Sequence, residues 1–153
     1  MHPMQTQILE SALNMLARRE HSKQELERKL LYKFREDTEV VTTVVKQLIV
    51  EDRQNDRRFA AAFLRNGLVK RHGKNRIVRE LRQKGVTQDD VNWAFCSEPE
   101  VDWFALAKEL KKIKFGAEII SDYKGKAKQF RYLQYRGFTF DEIKHATQSD
   151  IDN

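Results

Sequence analysis

A segment rich in basic residues carries the clearest chemical signal in this chain. Ten arginines and lysines but a single acid, Glu80, lie between Arg57 and Lys84, which gives the segment a net charge of +9 and leaves −3 on the rest. Clustered cations of this kind bind DNA phosphates or acidic protein surfaces. A solvated helix face is the competing interpretation, but such a face usually mixes both signs at helical spacing. We therefore predict a contact surface made by Arg57, Arg58, Lys70, Arg71, Lys74, Arg76, Arg79, Arg82 and Lys84.

Helix geometry prevents all of these bases from pointing the same way. Arg76, Arg79 and Lys84 follow one another at steps of three and five residues, which spread around the helix cylinder. Some of the side chains must therefore cover core edges with their aliphatic stems. We expect the more exposed members to be Arg71, Lys74, Arg79 and Arg82.

Two pairs of acids offer a different chemistry. Asp89-Asp90 and Asp141-Glu142 could hold the metal ions of a nuclease. Both pairs fall in the first turn of predicted helices, where the positive end of the helix dipole favours carboxylates. This placement explains them without a metal, and we favour it over the nuclease hypothesis.

The remaining catalytic and cofactor motifs are missing. The four histidines, His2, His21, His72 and His145, show no metal-binding spacing, and no glycine-rich phosphate loop occurs. The sequence thus predicts a protein that is not an enzyme and that uses no cofactor or metal. Its aromatic rings, Tyr135 among them, could stack on unpaired bases, but most lie at core spacing, and we favour packing.

The composition favours the cytoplasm. The longest apolar run, residues 59–64, is far shorter than the ~20 residues of a membrane-spanning helix. The first residues lack the pattern of a secretory signal, and the single Cys96 cannot form an internal disulfide. We expect a cytoplasmic protein that does not contact membranes.

A repeated phrase indicates how the chain is organised. GVTQDDV at 85–91 returns as GFTFDEI at 137–143, 52 residues later. In each copy the glycine can end one helix in a left-handed conformation, and the threonine can cap the next. The acid that follows the threonine, Asp90 or Glu142, would complete a capping box.

Apolar periodicity predicts nine helices in three sets of three. The β-branched stretch 38–50 is the hardest to assign, but Val41, Val44, Val45 and Leu48 keep helical spacing, so we predict a helix there. Asp56 is the expected N-cap of the fourth helix. The predicted fold is all-α, with repeats at 1–52, 53–98 (basic) and 99–153. Repeats this short would stack into an elongated array of right- or left-handed curvature.

The chain resembles the RecX family over nearly its whole length. The resemblance lies in EHSKQELERKL at 20–30, NDRRFAAAF at 55–63, RIVRELRQKGV at 76–86, VDW at 101–103 and YLQYRGF at 132–138. Two places depart from the family pattern. Asp52 and Gln54 stand where the family usually has glycine and an aliphatic residue, and Arg71 and Lys74 stand where it tends to place glycine and proline.

The resemblance implies a modulator that binds the RecA recombinase filament on DNA, in its helical groove. Such a protein would inhibit the ATPase, strand-exchange and coprotease activities of RecA, and so modulate homologous recombination and the SOS DNA-repair response. Its partners would be the filament and the single- or double-stranded DNA within it, and we expect a monomer. The basic segment alone leaves an alternative, a general nucleic-acid-binding module that acts only through phosphate contacts.

Overall fold

The computed structural model describes residues 2–148, and within them every regular element is an α-helix. These are α1 (Gln5–Arg18), α2 (Lys23–Lys33), α3 (Thr38–Val50), α4 (Asp56–Val69), α5 (Lys74–Gln83), α6 (Gln88–Ser97), α7 (Trp103–Phe115), α8 (Tyr123–Tyr135) and α9 (Phe140–Thr147). The prediction of an all-α chain with three helices in each repeat is confirmed for the described residues. The repeat limits and the elongated stacking stay predictions. Across residues 2–148, no helix combines the length and the hydropathy needed to cross a membrane.

Helix α3 shows why the β-branched stretch is helical. Val41, Val44, Val45 and Leu48 are all buried, and they form one stripe at helical spacing. On the opposite face, the hydroxyls of Thr42 and Thr43 donate to backbone carbonyls one turn back. Burial of the stripe therefore outweighs the weak helix propensity of these side chains.

Contacts group the described residues into two compact units. The first comprises the residues up to Phe63 together with Leu81–Glu98, and the second comprises Leu64–Glu80 together with the residues from Pro99 onward. Helices α4 and α5 each contribute to both units. The core of the first unit contains Ile8, Ala12, Leu26, Leu30, Val41, Val44, Val45 and Leu48. A core cluster in the second unit contains Ala107, Leu110, Leu133, Phe138, Ile143 and Ala146.

In the first unit, the turn between α5 and α6 is held against the start of α2. The Ser22 hydroxyl accepts from the Glu25 amide at 3.1 Å and donates to the Lys84 carbonyl at 2.9 Å. Gly85 follows with φ of 85°. A Cβ at Gly85 would lie 2.9 Å from the Cβ of Gln24, so only glycine permits this approach.

In the second unit, the turn between α8 and α9 is held in the same way against the start of α5. The Gly73 amide donates to the Arg136 carbonyl at 2.7 Å, and the Asn75 amide donates to the Gly137 carbonyl at 3.2 Å. Gly73 lies 51 residues after Ser22, and Arg136 lies 52 residues after Lys84. The repeated glycine turn therefore joins helices of successive repeats as well as ending a helix.

The predicted capping boxes differ between the two copies. Thr139 and Glu142 form the complete box, in which each side chain accepts from the other residue's amide. Thr87 accepts from the amide of Asp90, but the Asp90 carboxylate pairs with Arg57 instead of turning back. The prediction of a second capping box at Asp90 is therefore wrong. The shorter aspartate side chain is engaged by a base 33 residues away.

Asn55, not Asp56, caps helix α4. The Asn55 Oδ1 accepts from the amides of Arg57 and Arg58 at 2.9 and 3.2 Å. Asp56 is the first residue of the helix, and its Oδ1 accepts from the Lys23 amide at 2.8 Å. The predicted cap is therefore wrong by one residue, because Asp56 stabilises the start of α2 instead.

Candidate basic interface

The candidate bases differ in how much of each residue reaches solvent. Four are partly buried, namely Arg58, Arg71, Arg76 and Lys84. The exposed members are Arg57, Lys70, Lys74, Arg79 and Arg82. The structure places Arg57, Arg58, Arg82 and Lys84 in the first unit, and Lys70, Arg71, Lys74, Arg76 and Arg79 in the second.

Two arginines at the start of α4 are engaged by acids of the first unit. The Arg57 Nε lies 3.0 Å from Asp90 Oδ1, and its guanidinium lies 5.4 Å from the Trp93 ring centre. The Arg58 Nε lies 2.7 Å from Glu20 Oε1. These two bases therefore stabilise the first unit, and little of their charge is available to a partner.

Glu25 is a buried acid, with a side chain that is 5% exposed, and it is paired with two bases that reach solvent. The Arg19 guanidinium donates to both carboxylate oxygens, at 3.0 and 2.8 Å, and Lys84 Nζ lies 3.9 Å from Oε2. Burial by itself raises the pKa of Glu25. The hydrogen bonds and charge of Arg19, with the charges of Lys84 and His21, outweigh burial and lower the pKa to about 2. Lys84 is thus part of the packing of the first unit.

His21 lies against the same network and is 3% exposed. Its Nδ1 lies 3.0 Å from the Arg19 carbonyl, and its Nε2 lies 3.1 Å from Lys29 Nζ. A carbonyl can only accept and an ammonium can only donate, so the ring carries its proton on Nδ1. Burial, followed by the nearby cations Arg19 and Lys29, lowers the pKa of this imidazole.

Arg71 is less exposed than the sequence predicted. It is partly buried, and its Nη2 and Nε lie 2.9 and 3.1 Å from Glu109 Oε1. The prediction of an exposed, available Arg71 is wrong, because α7 supplies an acid 38 residues away in sequence. Of the four residues expected to be most exposed, Lys74, Arg79 and Arg82 are exposed.

Arg76 is held between an acid and an aromatic ring of the second unit. Its Nε lies 2.8 Å from Glu80 Oε1, and its guanidinium lies 5.3 Å from the ring centre of Tyr135. Tyr135 is 70% exposed. The exposed ring therefore lies against a guanidinium, and the sequence-based preference for core packing of the aromatic rings does not describe Tyr135.

Arg136 joins the basic residues of the second unit, although it lies far from them in sequence. Its guanidinium donates to the backbone carbonyl of Lys70, 66 residues earlier. Nothing local in the sequence marks this proximity. One signal could have revealed it. Lys84 and Arg136 occupy equivalent positions, because each directly follows the middle helix of its repeat.

The bases that face solvent most freely are a subset of the prediction. Within residues 2–148, Arg79 and the Lys70 side chain form no hydrogen bond or ion pair, and both are exposed. Arg82 is exposed as well, and it donates to the Val86 carbonyl at 3.0 Å, which orders it without neutralising its charge. Lys70 and Arg79 in the second unit and Arg82 in the first are therefore the best candidates for a contact with polyanions.

The paired acids have structural roles where the structure describes them. Asp90 binds Arg57, and Glu142 belongs to the capping box of α9. No cluster of three metal-binding side chains occurs among the described residues. Helix termini and ion pairs therefore account for these carboxylates.

Three family models match the chain in consecutive order. They are the first three-helix domain of RecX over residues 9–48, the second over 55–94 and the third over 100–147. This chain belongs to the RecX family. A regulatory protein RecX from Vibrio cholerae is 41% identical over 140 residues, covering 92% of this chain and 91% of the relative. One from Vibrio campbellii is 37% identical over 137 residues, covering 90% and 87%.

Solved RecX structures share the fold. The crystal structure of RecX from Lactobacillus salivarius superimposes with a TM-score of 0.72 at 20% identity, covering 93% of each chain. A second crystal structure of a regulatory protein RecX gives a TM-score of 0.73 at 22% identity, covering 92% of this chain and 70% of that one. At this identity the likeness concerns the fold alone.

Two of the four departures from the RecX pattern lie at strained backbone positions. Asp52 and Arg71, which stand where the family tends to have glycine, both have φ of 58°. A left-handed conformation costs a residue with a Cβ about 1 kcal/mol or more. Gln54, at the other altered position, is 2% exposed, and its amide donates to the His21 carbonyl and to Asp56. Hydrogen bonds therefore hold Gln54 at this turn.

Proposed function

We propose that this protein is a non-enzymatic regulator that binds the RecA recombinase filament on DNA. By binding there it inhibits the ATPase, strand-exchange and coprotease activities of RecA. In the cytoplasm it thereby modulates homologous recombination and the SOS response. Membership of the RecX family is the observation that carries this proposal, because the relatives named regulatory protein RecX match about nine-tenths of the chain.

The charge distribution supports a polyanionic contact. Lys70 and Arg79 are exposed and form no ion pair with any described acid, so binding a phosphate or a partner carboxylate breaks no existing bond. Arg82 donates only to a carbonyl. If these bases contact phosphates, each contact contributes about 0.7 to 0.9 to the slope of log affinity against log salt.

The test is inhibition of the DNA-dependent ATPase of RecA by a charge-reversed variant. The triple change Lys70→Glu, Arg79→Glu and Arg82→Glu should raise the concentration for half-inhibition roughly tenfold or more, because three attractive contacts become repulsive. The helical circular dichroism should not change, since none of the three side chains lies in a core cluster.

A matched control separates local charge from net charge. Arg28→Glu, Lys46→Glu and Lys124→Glu change three exposed bases outside the basic segment by the same total charge. This control should inhibit RecA as the wild type does. Equal loss in both triple variants would contradict a role for the basic segment.

The charge of the segment also supports a second candidate, a general nucleic-acid-binding module. The two functions differ in stoichiometry and in their response to DNA. A filament regulator inhibits at well under one molecule per RecA subunit and still inhibits when DNA is in excess. Inhibition that disappears in excess DNA would favour the plain binder. Magnesium-dependent strand cleavage that is lost in Asp89→Asn and Asp141→Asn would contradict both.

A further inference from the structure

A small cavity lies in the second unit, between α8, α9 and the loop that precedes α8. It has a volume of about 230 Å³, and its main lining residues are Ile120, Lys126, Gln129, Phe130, Phe140 and Lys144. None of its lining residues is acidic. Pockets for drug-sized ligands have roughly 300–1,000 Å³, so this cavity suits a single ring.

Gln129 is out of place as a core residue. It lies 52 residues after Ile77 and 103 after Leu26, so it occupies the position that holds a fully buried aliphatic residue in the other two repeats. Gln129 is 3% exposed, and within the described part of the chain its Nε2 has no hydrogen-bond partner. A buried amide donor without an acceptor is costly. An acceptor brought by a ligand would remove that cost.

Two aromatic rings form the apolar side of the cavity. The ring centres of Phe130 and Phe140 lie 5.6 Å apart at an angle of 58°. Phe140 is 64% exposed and is the first residue of α9, directly after the N-cap Thr139. The capping box fixes the backbone at the start of the helix, so the Cα of Phe140 stays beside the cavity.

Two lysines complete the lining. Lys126 on α8 and Lys144 on α9 are both exposed. The opposite wall is Ile120, which packs against Gly125 so closely that any Cβ at Gly125 would collide with it. The cavity thus combines aromatic faces, a buried donor and two cations.

We infer that this cavity binds one unpaired nucleotide of a single-stranded nucleic acid. The base packs on Phe140 and Phe130, and a rotation of the buried Gln129 side chain brings its amide to donate to a carbonyl oxygen of the base. The flanking phosphates lie near Lys126 and Lys144. An acidic peptide side chain would satisfy the lysines but would leave the aromatic rings uncovered. This inference goes beyond the proposed function, because it assigns a site that contacts the base itself, whereas the basic segment contacts only phosphates or acidic side chains.

The test compares binding of fluorescent oligo-dT with binding of an abasic oligonucleotide of equal length, in the absence of RecA. The wild type should prefer oligo-dT, because only this probe carries bases. Phe140→Ala should weaken oligo-dT binding roughly 5- to 150-fold, the usual effect of removing one stacking ring. Gln129→Leu restores the aliphatic residue of the other repeats, so it should keep the fold and lower the preference for oligo-dT.

Variants of α8 residues outside the cavity lining serve as controls. Tyr123→Ala removes an aromatic ring that is 87% exposed and lies outside the cavity lining, and it should not change binding. Lys126→Gln with Lys144→Gln should weaken binding more than Lys124→Gln with Lys128→Gln, although both pairs remove the same charge.

Three results would overturn the inference. The first is equal binding of the two probes, and the second is an equal effect of Phe140→Ala and Tyr123→Ala. The third is binding of an acidic peptide, instead of oligo-dT, that is lost in Phe140→Ala. None of these results changes the interpretation of the RecA experiment, because that experiment changes only arginine and lysine residues outside this cavity.

Discussion

Replacing Glu25 by glutamine should destabilise the protein strongly and in a pH-dependent way. The carboxylate is buried, accepts hydrogen bonds from Arg19 and lies close to Lys84. In the folded protein its pKa is lowered from the ordinary 4.5 to about 2. The difference of about 2.5, at about 1.4 kcal/mol per pKa unit, corresponds to about 3 kcal/mol near neutral pH. This stability is present above pH 4.5 and is lost as the pH falls towards 2, because the unfolded state binds the proton first.

Urea denaturation of the wild type and Glu25→Gln at two pH values measures this effect. The difference in unfolding free energy should be about 3 kcal/mol near pH 7 and should shrink to less than about half of that near pH 3. Glu27→Gln is the control on the same helix. Its carboxylate is 34% exposed and lies 3.9 Å from Lys23, so the change should cost less than about 1 kcal/mol at either pH.

Two outcomes would refute the reasoning about Glu25. One is a difference between wild type and Glu25→Gln that does not change with pH, which would mean that the pKa of the carboxylate is not lowered by folding. The other is an equal effect of Glu25→Gln and Glu27→Gln. Either result would show that the bidentate contact with Arg19 contributes no more than an exposed pair.

Three further predictions test the turns and caps. Gly116→Ala should cost about 1–3 kcal/mol from its φ of 88° alone. Gly137→Ala should cost about 2 kcal/mol more in thermal denaturation, because its Cβ would also lie 2.7 Å from a backbone nitrogen. His21 should keep its proton on Nδ1 and remain neutral below its ordinary pKa of 6.5 in ¹H–¹⁵N spectra. Its contribution to stability should be lost as the pH falls below 6.5. Asn55→Ala should cost about 1 kcal/mol and speed hydrogen exchange at the start of α4, whereas Asp56→Ala should leave that exchange unchanged.

Much of the fold could be predicted because its signals are local. The left-handed glycines of both turns and the caps at Thr87 and Thr139 involve residues at most a few positions apart. The buried stripe of α3 repeats at helical spacing and so identified the helix despite its β-branched residues. The error at Asp56 has the opposite origin, because its carboxylate serves a helix that begins 33 residues earlier.

The candidate interface could be predicted only in outline. The excess of bases over acids between Arg57 and Lys84 is a property of the sequence, but the availability of each base is not. Arg71 meets Glu109, and Lys84 meets Glu25, across 38 and 59 positions of the chain. The net charge of a segment can be counted from its sequence, whereas the acidic residues that pair with its bases lie in distant parts of the chain.

The amino-acid sequence alone determined the helices, their order in three repeats and the concentration of positive charge, because periodicity, capping and composition act over a few residues. The tertiary structure decided which cations remain without an acidic partner and which polar groups are buried. Arg79 is unpaired among the described residues, Glu25 is an ionised buried acid, and Gln129 is a buried amide beside a cavity. Their surroundings are assembled from distant segments, and the free energy of a charge or an amide depends on those surroundings.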